Sequence, residues 1–317
     1  ICPICQSRRT VKKGTPRGVQ RYLCNDCKSF FRNERRHSDE SSVKELWGAY
    51  VFGKQTFREM DQDKRTIRKL FDTYRTPVKQ HRPRSVYLVA DATYFGERLE
   101  ATSWCVAVIR DQHAKEDLAW EFGPTESTSL YISLKERLVQ HGYMIRSVTA
   151  DGFMGIHSAF PGVPYQMCHV HMERLVTRGT TRKPQTEAGV VLLALVRTLH
   201  STDSQTFTNR LEAYLAKYRD FLNEKTTNPL TGEQYWTHKE LRGAVMSLVR
   251  YRPYLFTFEN NKKIPRTTNS LEGHFSHING IIAVHRGLSR PQKQKMLNTI
   301  LLASTVAPTT GKLKYIL

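Results

Sequence analysis

Three acidic residues and four cysteines carry most of the chemistry open to this chain. Asp91 follows Val86 to Ala90, a run with the apolar content of a buried strand, within the stretch SVYLVADATYF. Asp151 follows a second apolar-leaning run, Ile145 to Ala150, and precedes Gly152. A lone aspartate at a strand end is usually a cap or turn residue. Two adjacent strands that both end in carboxylates place both on one rim, and oxygen-ligand metal sites are assembled that way. Glu272 lies in TTNSLEG, where Thr268 or Asn269 can cap a helix that carries the glutamate about one turn in. Three such carboxylates suit two Mg²⁺ (or Mn²⁺) ions about 4 Å apart, with water and phosphate oxygens completing the shells. One ion then activates a water or 3′-hydroxyl nucleophile, and the other stabilises the leaving 3′-oxygen. Glu97, Glu100, Asp111 and Asp117 are rival acids, in turns or strands without a matching placement.

Cys2-Pro3-Ile4-Cys5 and Cys24-Asn25-Asp26-Cys27 are two CxxC turns separated by eighteen residues. Each offers two thiolates, and together they complete a tetrahedral site for one structural Zn²⁺. The intervening segment lacks the apolar content to fold alone, so metal supplies its stability. A redox pair is the weaker reading, because no thioredoxin-like βαβ pattern surrounds the motifs. Arg8, Arg9, Lys12, Lys13, Arg17 and Arg21 decorate this ribbon and are candidate phosphate contacts. Cys168-His169-Val170-His171 offers too few ligands for a closed zinc site. A structural or DNA-positioning role is expected instead, with Cys168 buried and His171 near a substrate phosphate. Arg286, in HRG beyond Glu272, is a further candidate phosphate contact.

The elements that must position these residues fall into blocks. Residues 1–36 form the zinc ribbon. Residues 37–76 read as helical, with Val43, Leu46, Trp47 and Tyr50 at helix spacing, a short piece FREM, a turn DQDK, and RTIRKLF. That pattern predicts a helix-turn-helix with Thr66 to Tyr74 as recognition helix and Arg65, Arg68 and Lys69 facing DNA. Residues 77–84 are a linker. From Ser85 the texture is α/β: strands at 86–90, 104–109 and 118–122, a helix at 127–139, a strand at 145–150, a short helical segment at 152–160, and a strand at 165–168. The order βββαβαβ, with acids ending the first and fourth strands, is that of a ribonuclease-H-like fold. Its first part spans 85–180. An all-helical insertion follows at 181–262, from apolar stripes such as Leu192, Leu195, Val196 and Leu199, with no strand signal. Residues 263–304 return to the core with the glutamate helix and a closing helix from Gln292, and 305–317 form a C-terminal tail.

Lys and Arg total 49 against 29 Asp and Glu, a formal net charge of +20. Residues 1–85 hold 21 of the basic and 9 of the acidic residues. Such an excess points to a polyanion, and nucleic acid fits better than a membrane, because no run of 18 apolar residues exists. No secretory leader is visible, and the chain opens on Ile1, so native residues ahead of it are expected. Four of the six cysteines fall in the first 27 residues. That clustering argues against a secreted disulfide scaffold and for a reducing, cytoplasmic location.

The blocks DATYFG, ADG, QMCHVH and TTNSLEG, in this order, resemble the DDE transposases of the IS256 group, close to its IS1249-like branch, and through them the Mutator-like elements. The resemblance covers roughly residues 85–300. It implies that Asp91, Asp151 and Glu272 are a DDE triad, that Cys168 and His171 are a C-x2-H signature, and that Asn269 is the asparagine preceding the glutamate. It implies Mg²⁺-dependent cleavage at terminal inverted repeats and strand transfer into target DNA, by a homodimer or larger assembly on double-stranded DNA in a bacterial nucleoid. Copy-out and excision pathways both stay open. The stretch after Glu272, GHFSHINGIIAVHRG, is less basic than the family's arginine-rich version. Two alternatives remain: a ribonuclease-H-fold nuclease or resolvase-like enzyme that cuts without joining, and a catalytically silent zinc-ribbon/helix-turn-helix regulator.

Overall fold

The computed structural model describes residues 1–16, 20–32, 40–60, 63–96, 102–285 and 287–304. Glu97, Glu100, Arg17, Arg286 and the tail 305–317 lie outside them. Contacts divide the chain between Arg75 and Thr76 into two compact units.

The first unit opens with three short antiparallel strands, β1 (Thr10–Lys12), β2 (Arg21–Cys24) and β3 (Phe30–Arg32), in the order β1-β2-β3. Within this ribbon the buried apolar side chains are Cys2 and Cys24, so sulfur stands where a hydrophobic core would be. Two helices follow, α1 (Glu40–Val51) and α2 (Lys64–Thr73). Asp63 caps α2 by accepting from the Thr66 amide at 3.1 Å. The helices join through aromatic rings: Trp47 meets Phe71 edge-on at 4.9 Å and stacks on Tyr74 at 5.2 Å. The expected helical piece FREM is a turn. Glu59 accepts from the Thr56 amide at 2.6 Å and from its hydroxyl at 2.9 Å. Four residues are too few to repay helix nucleation when a side chain offers the backbone another partner.

The second unit is built on a five-stranded mixed sheet of order β6-β5-β4-β7-β8. Its strands are β4 (Ser85–Phe95), β5 (Trp104–Asp111), β6 (Glu116–Gly123), β7 (Met144–Ala150) and β8 (Tyr165–Met167). β4, β5 and β6 form an antiparallel meander, while β7 and β8 run parallel to β4. Every residue of β5 is buried, as its near-continuous apolar run requires. Helices α3 (Thr128–Gln140) and α4 (Met154–Ala159) make the crossovers. This mixed sheet flanked by helices is consistent with a ribonuclease-H-like core carrying helical insertions. β4 is longer than its apolar run suggested, so Asp91 sits inside the strand and not at its end.

Beyond β8 come α5 (His169–Thr180), α6 (Glu187–Arg197), α7 (Ser204–Lys217), α8 (Arg219–Leu222) and α9 (Lys239–Leu255). A Cβ on Gly179 of α5 would lie 2.6 Å from the Glu240 carbonyl oxygen of α9, so the two helices meet at a glycine. The stretch is not all-helical. A hairpin of β9 (Lys225–Thr227) and β10 (Gln234–Trp236) interrupts it, closed by Gly232 at φ +72°. Its three-residue strands are too short to leave a periodic signal. Trp236 is held there beneath Arg242, whose guanidinium carbon lies 4.1 Å from the ring centroid. One cluster of buried apolar residues runs from Val86 and Val148 of the sheet through Leu192, Leu211 and Leu248 of these helices. Helices α10 (Asn269–Val284) and α11 (Arg290–Ala303) close the unit.

The linker is not free chain. Lys79 pairs with Glu116 at 2.7 Å, His81 stacks on His141 at 3.7 Å, and Arg84 bridges Asp111 and Glu116 at 2.7 and 2.8 Å.

Candidate active site

Asp91 and Asp151 are brought together by one irregularity in the sheet. β4 pairs with β7 as Val86↔Ile145, then slips by a residue and resumes as Tyr87↔Ser147 and Val89↔Thr149. Continued two residues, that register sets position 91 opposite 151. Without the extra residue, Arg146, Asp91 would face Ala150 instead. β7 ends at Ala150 while β4 continues to Phe95, so both aspartates stand where the parallel ladder stops.

The Asp151 carboxylate accepts from the Phe153 amide at 3.0 Å, an Asx-type turn. Gly152 between them holds φ +105°, and a Cβ there would lie 2.9 Å from Met167 Cε. The Tyr251 hydroxyl of α9 donates to the Gly152 carbonyl at 2.7 Å, fixing the turn from the helical side. Asp91 accepts from the Ala92 amide at 2.8 Å. Burial and then the charge of Asp151 push its carboxyl up to about 7.

Glu272 reaches the site through the start of α10. Thr268 is the N-cap, and its carbonyl accepts from the Leu271 and Glu272 amides. The buried Thr268 amide and hydroxyl face Cys168 Sγ at 3.4 and 3.5 Å. Thr149 of β7 donates to the Pro265 carbonyl at 2.7 Å, and the His169 amide to Arg266 at 3.0 Å. Cys168 thus ties the end of β8 to the glutamate helix. Burial raises the Cys168 thiol, but hydrogen bonds from His171 and Thr268 outweigh burial and hold it below its ordinary value. His171 shows the reverse balance. Burial lowers it, and the hydrogen bond to Cys168 with the charges of Cys168, Asp151 and Glu272 raises it overall. Its Nδ1 lies 3.5 Å from Glu272. Asn269 is an exposed first residue of α10.

Two residues at this site carried no weight in the sequence. Arg174 of α5 donates from both terminal nitrogens to the two Glu272 oxygens, at 3.0 Å each. Glu126, ahead of α3, accepts from the Tyr131 hydroxyl at 2.6 Å. Its carboxyl is raised by burial and by the charge of Asp151, against the Tyr131 hydrogen bond that lowers it. Arg174 was readable as the arginine one helical turn after the CxxH, and Glu126 as an acid between the third strand and the next helix. The rival acids are structural: Asp111 pairs with Arg84, and the enclosed Asp117 with Arg110 at 2.6 Å and His274 at 2.8 Å.

Among the described residues, the four cysteines are the only group of three or more His, Cys, Asp or Glu whose ligand atoms all lie within 4.8 Å of one another. Cys2 Sγ lies 3.6 Å from Cys27 and Cys5 Sγ 3.5 Å from Cys24. These are close to the edges of a tetrahedron with metal–sulfur bonds of about 2.3 Å, so the set fits a structural zinc ion. Hydrogen bonds from the Ser29 side chain and backbone bring the Cys27 thiol down to about 6, toward the thiolate a metal needs. Among the described residues Asp91 and Asp151 make no ion pair, and Asp91 feels the charges of Asp151 and His171. Glu272 is engaged by Arg174 and does not close on them.

The basic candidates are scattered. Arg9 pairs with Asp26 at 3.3 Å, and Arg21 lies over the Phe30 ring at 3.8 Å. Arg8, Lys12, Lys13, Arg65 and Lys69 reach solvent. Arg68 is half-buried over the Phe57 ring at 5.5 Å, turned from the outward direction expected of it.

No helix among the described residues is long and apolar enough to cross a membrane. No curated protein matches the chain. The family model described as "Transposase, Mutator family" matches residues 58–234, more than half of the chain, across β4, Asp91, Asp151 and the CxxH helix. The chain belongs to the Mutator family of transposases.

Proposed function

We propose that this transposase cuts the ends of its element and joins the freed 3′-hydroxyls to target DNA, with Asp91, Asp151 and Glu272 holding two divalent cations. The observation that carries the reading is the Asp91–Asp151 pair at the stop of the parallel ladder. Burial, and after it the charge of Asp151, raises the Asp91 carboxyl to about 7, an arrangement relieved by bound cations. Those cations, Mg²⁺ or Mn²⁺, would supply charge neutralisation at the phosphate and activation of the attacking hydroxyl. The chain's own part is placement. The Asp151 turn and the Ala92 amide orient the two aspartates, and Glu272 joins them after leaving Arg174. His171, made more basic by Cys168, offers a proton donor beside Glu272 for a phosphate oxygen.

In the same reading the ribbon and the α1–α2 pair bind the terminal inverted repeats, with α2 as recognition helix presenting Arg65 and Lys69. The active form is a dimer or larger assembly on DNA, and the chain falls with the IS256 group within the family. The α1–α2 pair supports a helix-turn-helix through its ring packing and the Asp63 cap. The test is a strand-transfer assay with the element's own end DNA carrying a free 3′-hydroxyl, a plasmid target and Mg²⁺. Joined product is expected from the wild type and none from Asp151→Asn. Cleavage without joining would replace the reading by a nuclease, and binding with neither by a regulator.

A further inference from the structure

An open groove of about 870 Å³ runs along the outer side of α5 and ends at the Arg174–Glu272 pair. Its lining includes Arg174, Arg178, Arg182 and Arg197, all exposed, and His171. Arg174 and Arg178 are four residues apart on α5, about 6 Å along one helical face, and Arg182 follows just beyond the end of the helix at Thr180. That step is comparable with the separation of neighbouring phosphates along a nucleic-acid strand. Arg197 has Glu173 at 3.6 Å, while Arg178 and Arg182 have no ion pair among the described residues. A solvated basic face would ordinarily be laced with acids at helical spacing. Among the described residues that line the groove the one acid is Glu173, and Glu272, held by Arg174 at its end, is a proposed cation ligand.

We propose that this groove is the track for the DNA strand whose phosphate enters the acidic site. Arg178, Arg182 and Arg197 hold successive backbone phosphates, and Arg174 takes the phosphate next to the reacting one when Glu272 turns to the cations. Guanidinium forks suit phosphate oxygens bidentately, and no base edge is needed, so the track is indifferent to sequence. The inference rests on the strand-transfer reading of the same site.

The test measures binding without catalysis. Full-length zinc-loaded protein is titrated by fluorescence anisotropy against a labelled duplex with a 3′ overhang, with no Mg²⁺ or Mn²⁺ added, over a KCl series. In Arg178→Gln/Arg182→Gln/Arg197→Gln, the slope of log affinity against log salt is expected to shrink by about 2 to 3, because each lost phosphate contact removes about 0.7 to 0.9. The triple lysine variant at the same positions should keep the slope. A control triple of exposed residues elsewhere, Arg210→Gln/Lys239→Gln/Arg250→Gln, should leave it unchanged. An unchanged slope in the groove variant, an equal loss in the control, or a loss in the lysine variant would each overturn the track. Cleavage by the wild type, run in parallel, separates the two readings. Cutting with an unchanged groove slope removes the track alone, whereas no cutting with a reduced slope removes the DDE chemistry and leaves the track.

Discussion

Arg174 and Glu272 lie fork to fork, each terminal nitrogen 3.0 Å from its own carboxylate oxygen. Both oxygens of the glutamate proposed to bind cation are therefore occupied by a neighbour more than half exposed to water. The pair acts as a holder: it keeps Glu272 oriented and competes with whatever Glu272 binds next. A solvent-exposed ion pair is worth up to about 1 kcal/mol. Arg174→Gln should accordingly tighten Mn²⁺ binding to DNA-free protein by about two- to fivefold, read by calorimetry. The melting temperature should hardly move. Unchanged or weaker Mn²⁺ affinity would show that Arg174 does not compete for Glu272.

Asp117 gives a pH-dependent stability. Burial pushes its carboxyl up, but the hydrogen bond and charge of His274 and the charge of Arg110 outweigh it, holding the group below the usual carboxylate range. A folded-state pKa lowered below the unfolded value stabilises the fold fully above about pH 4, and that stability is lost as pH falls through the folded value. Asp117→Asn leaves Arg110 enclosed without its partner, a loss of about 3 to 5 kcal/mol and on the order of 10 °C in melting temperature at pH 7. The gap between variant and wild type should close as pH falls below about 4. A gap that stays constant from neutral to acid pH would remove Asp117 from this role.

Metal removal should act on the ribbon. One zinc per chain is expected in protein purified under reducing conditions, and chelation should expose four titratable thiols. Because sulfur takes the place of a core there, the β1–β3 amides should then exchange freely with solvent while those of β5 stay protected. Zinc-free protein with a protected ribbon would contradict this.

Cys168 should matter through Thr268. Cys168→Ala removes the acceptor facing the buried Thr268 amide and hydroxyl, at a cost of about 1 to 3 kcal/mol. Hydrogen exchange at Leu271 and Glu272 should speed up, and cleavage should fall by more than the loss of folded protein explains. Cys168→Ser keeps an acceptor and should restore much of both. Equal behaviour of the two variants would make Cys168 a packing residue only.

The strands and the aspartate pair were legible because a buried strand leaves a long apolar run and the chain repeats the device at Asp91 and Asp151. The four cysteines were legible from spacing alone. What escaped had short or non-local signals. FREM has helical spacing, but Glu59 bonds back to Thr56 and closes a turn. The β9–β10 hairpin is three residues a side and polar. The extra residue at Arg146, which sets one aspartate opposite the other, leaves no mark on composition. The grip of Arg174 on Glu272 joins residues 98 apart, and only the packing of α5 beside α10 brings them together.

The anchoring of α10 also sets an order in time. Cys168 waits for a partner 100 residues further on, and Trp120 of β6 for Asn298 of α11, 178 residues away. Contacts of such sequence separation form late, and a chain made from its N-terminus folds its early units first. Under the proposed chemistry, a product cut short before α10 would retain the ribbon, the α1–α2 pair and both aspartates, yet lack the glutamate that completes the triad. Such a fragment could occupy an element's end without opening it. The place of Glu272 after both aspartates and the helices between them thus makes synthesis through α10 a condition for the proposed cutting, and a copy stopped short of it a competitor for the same ends.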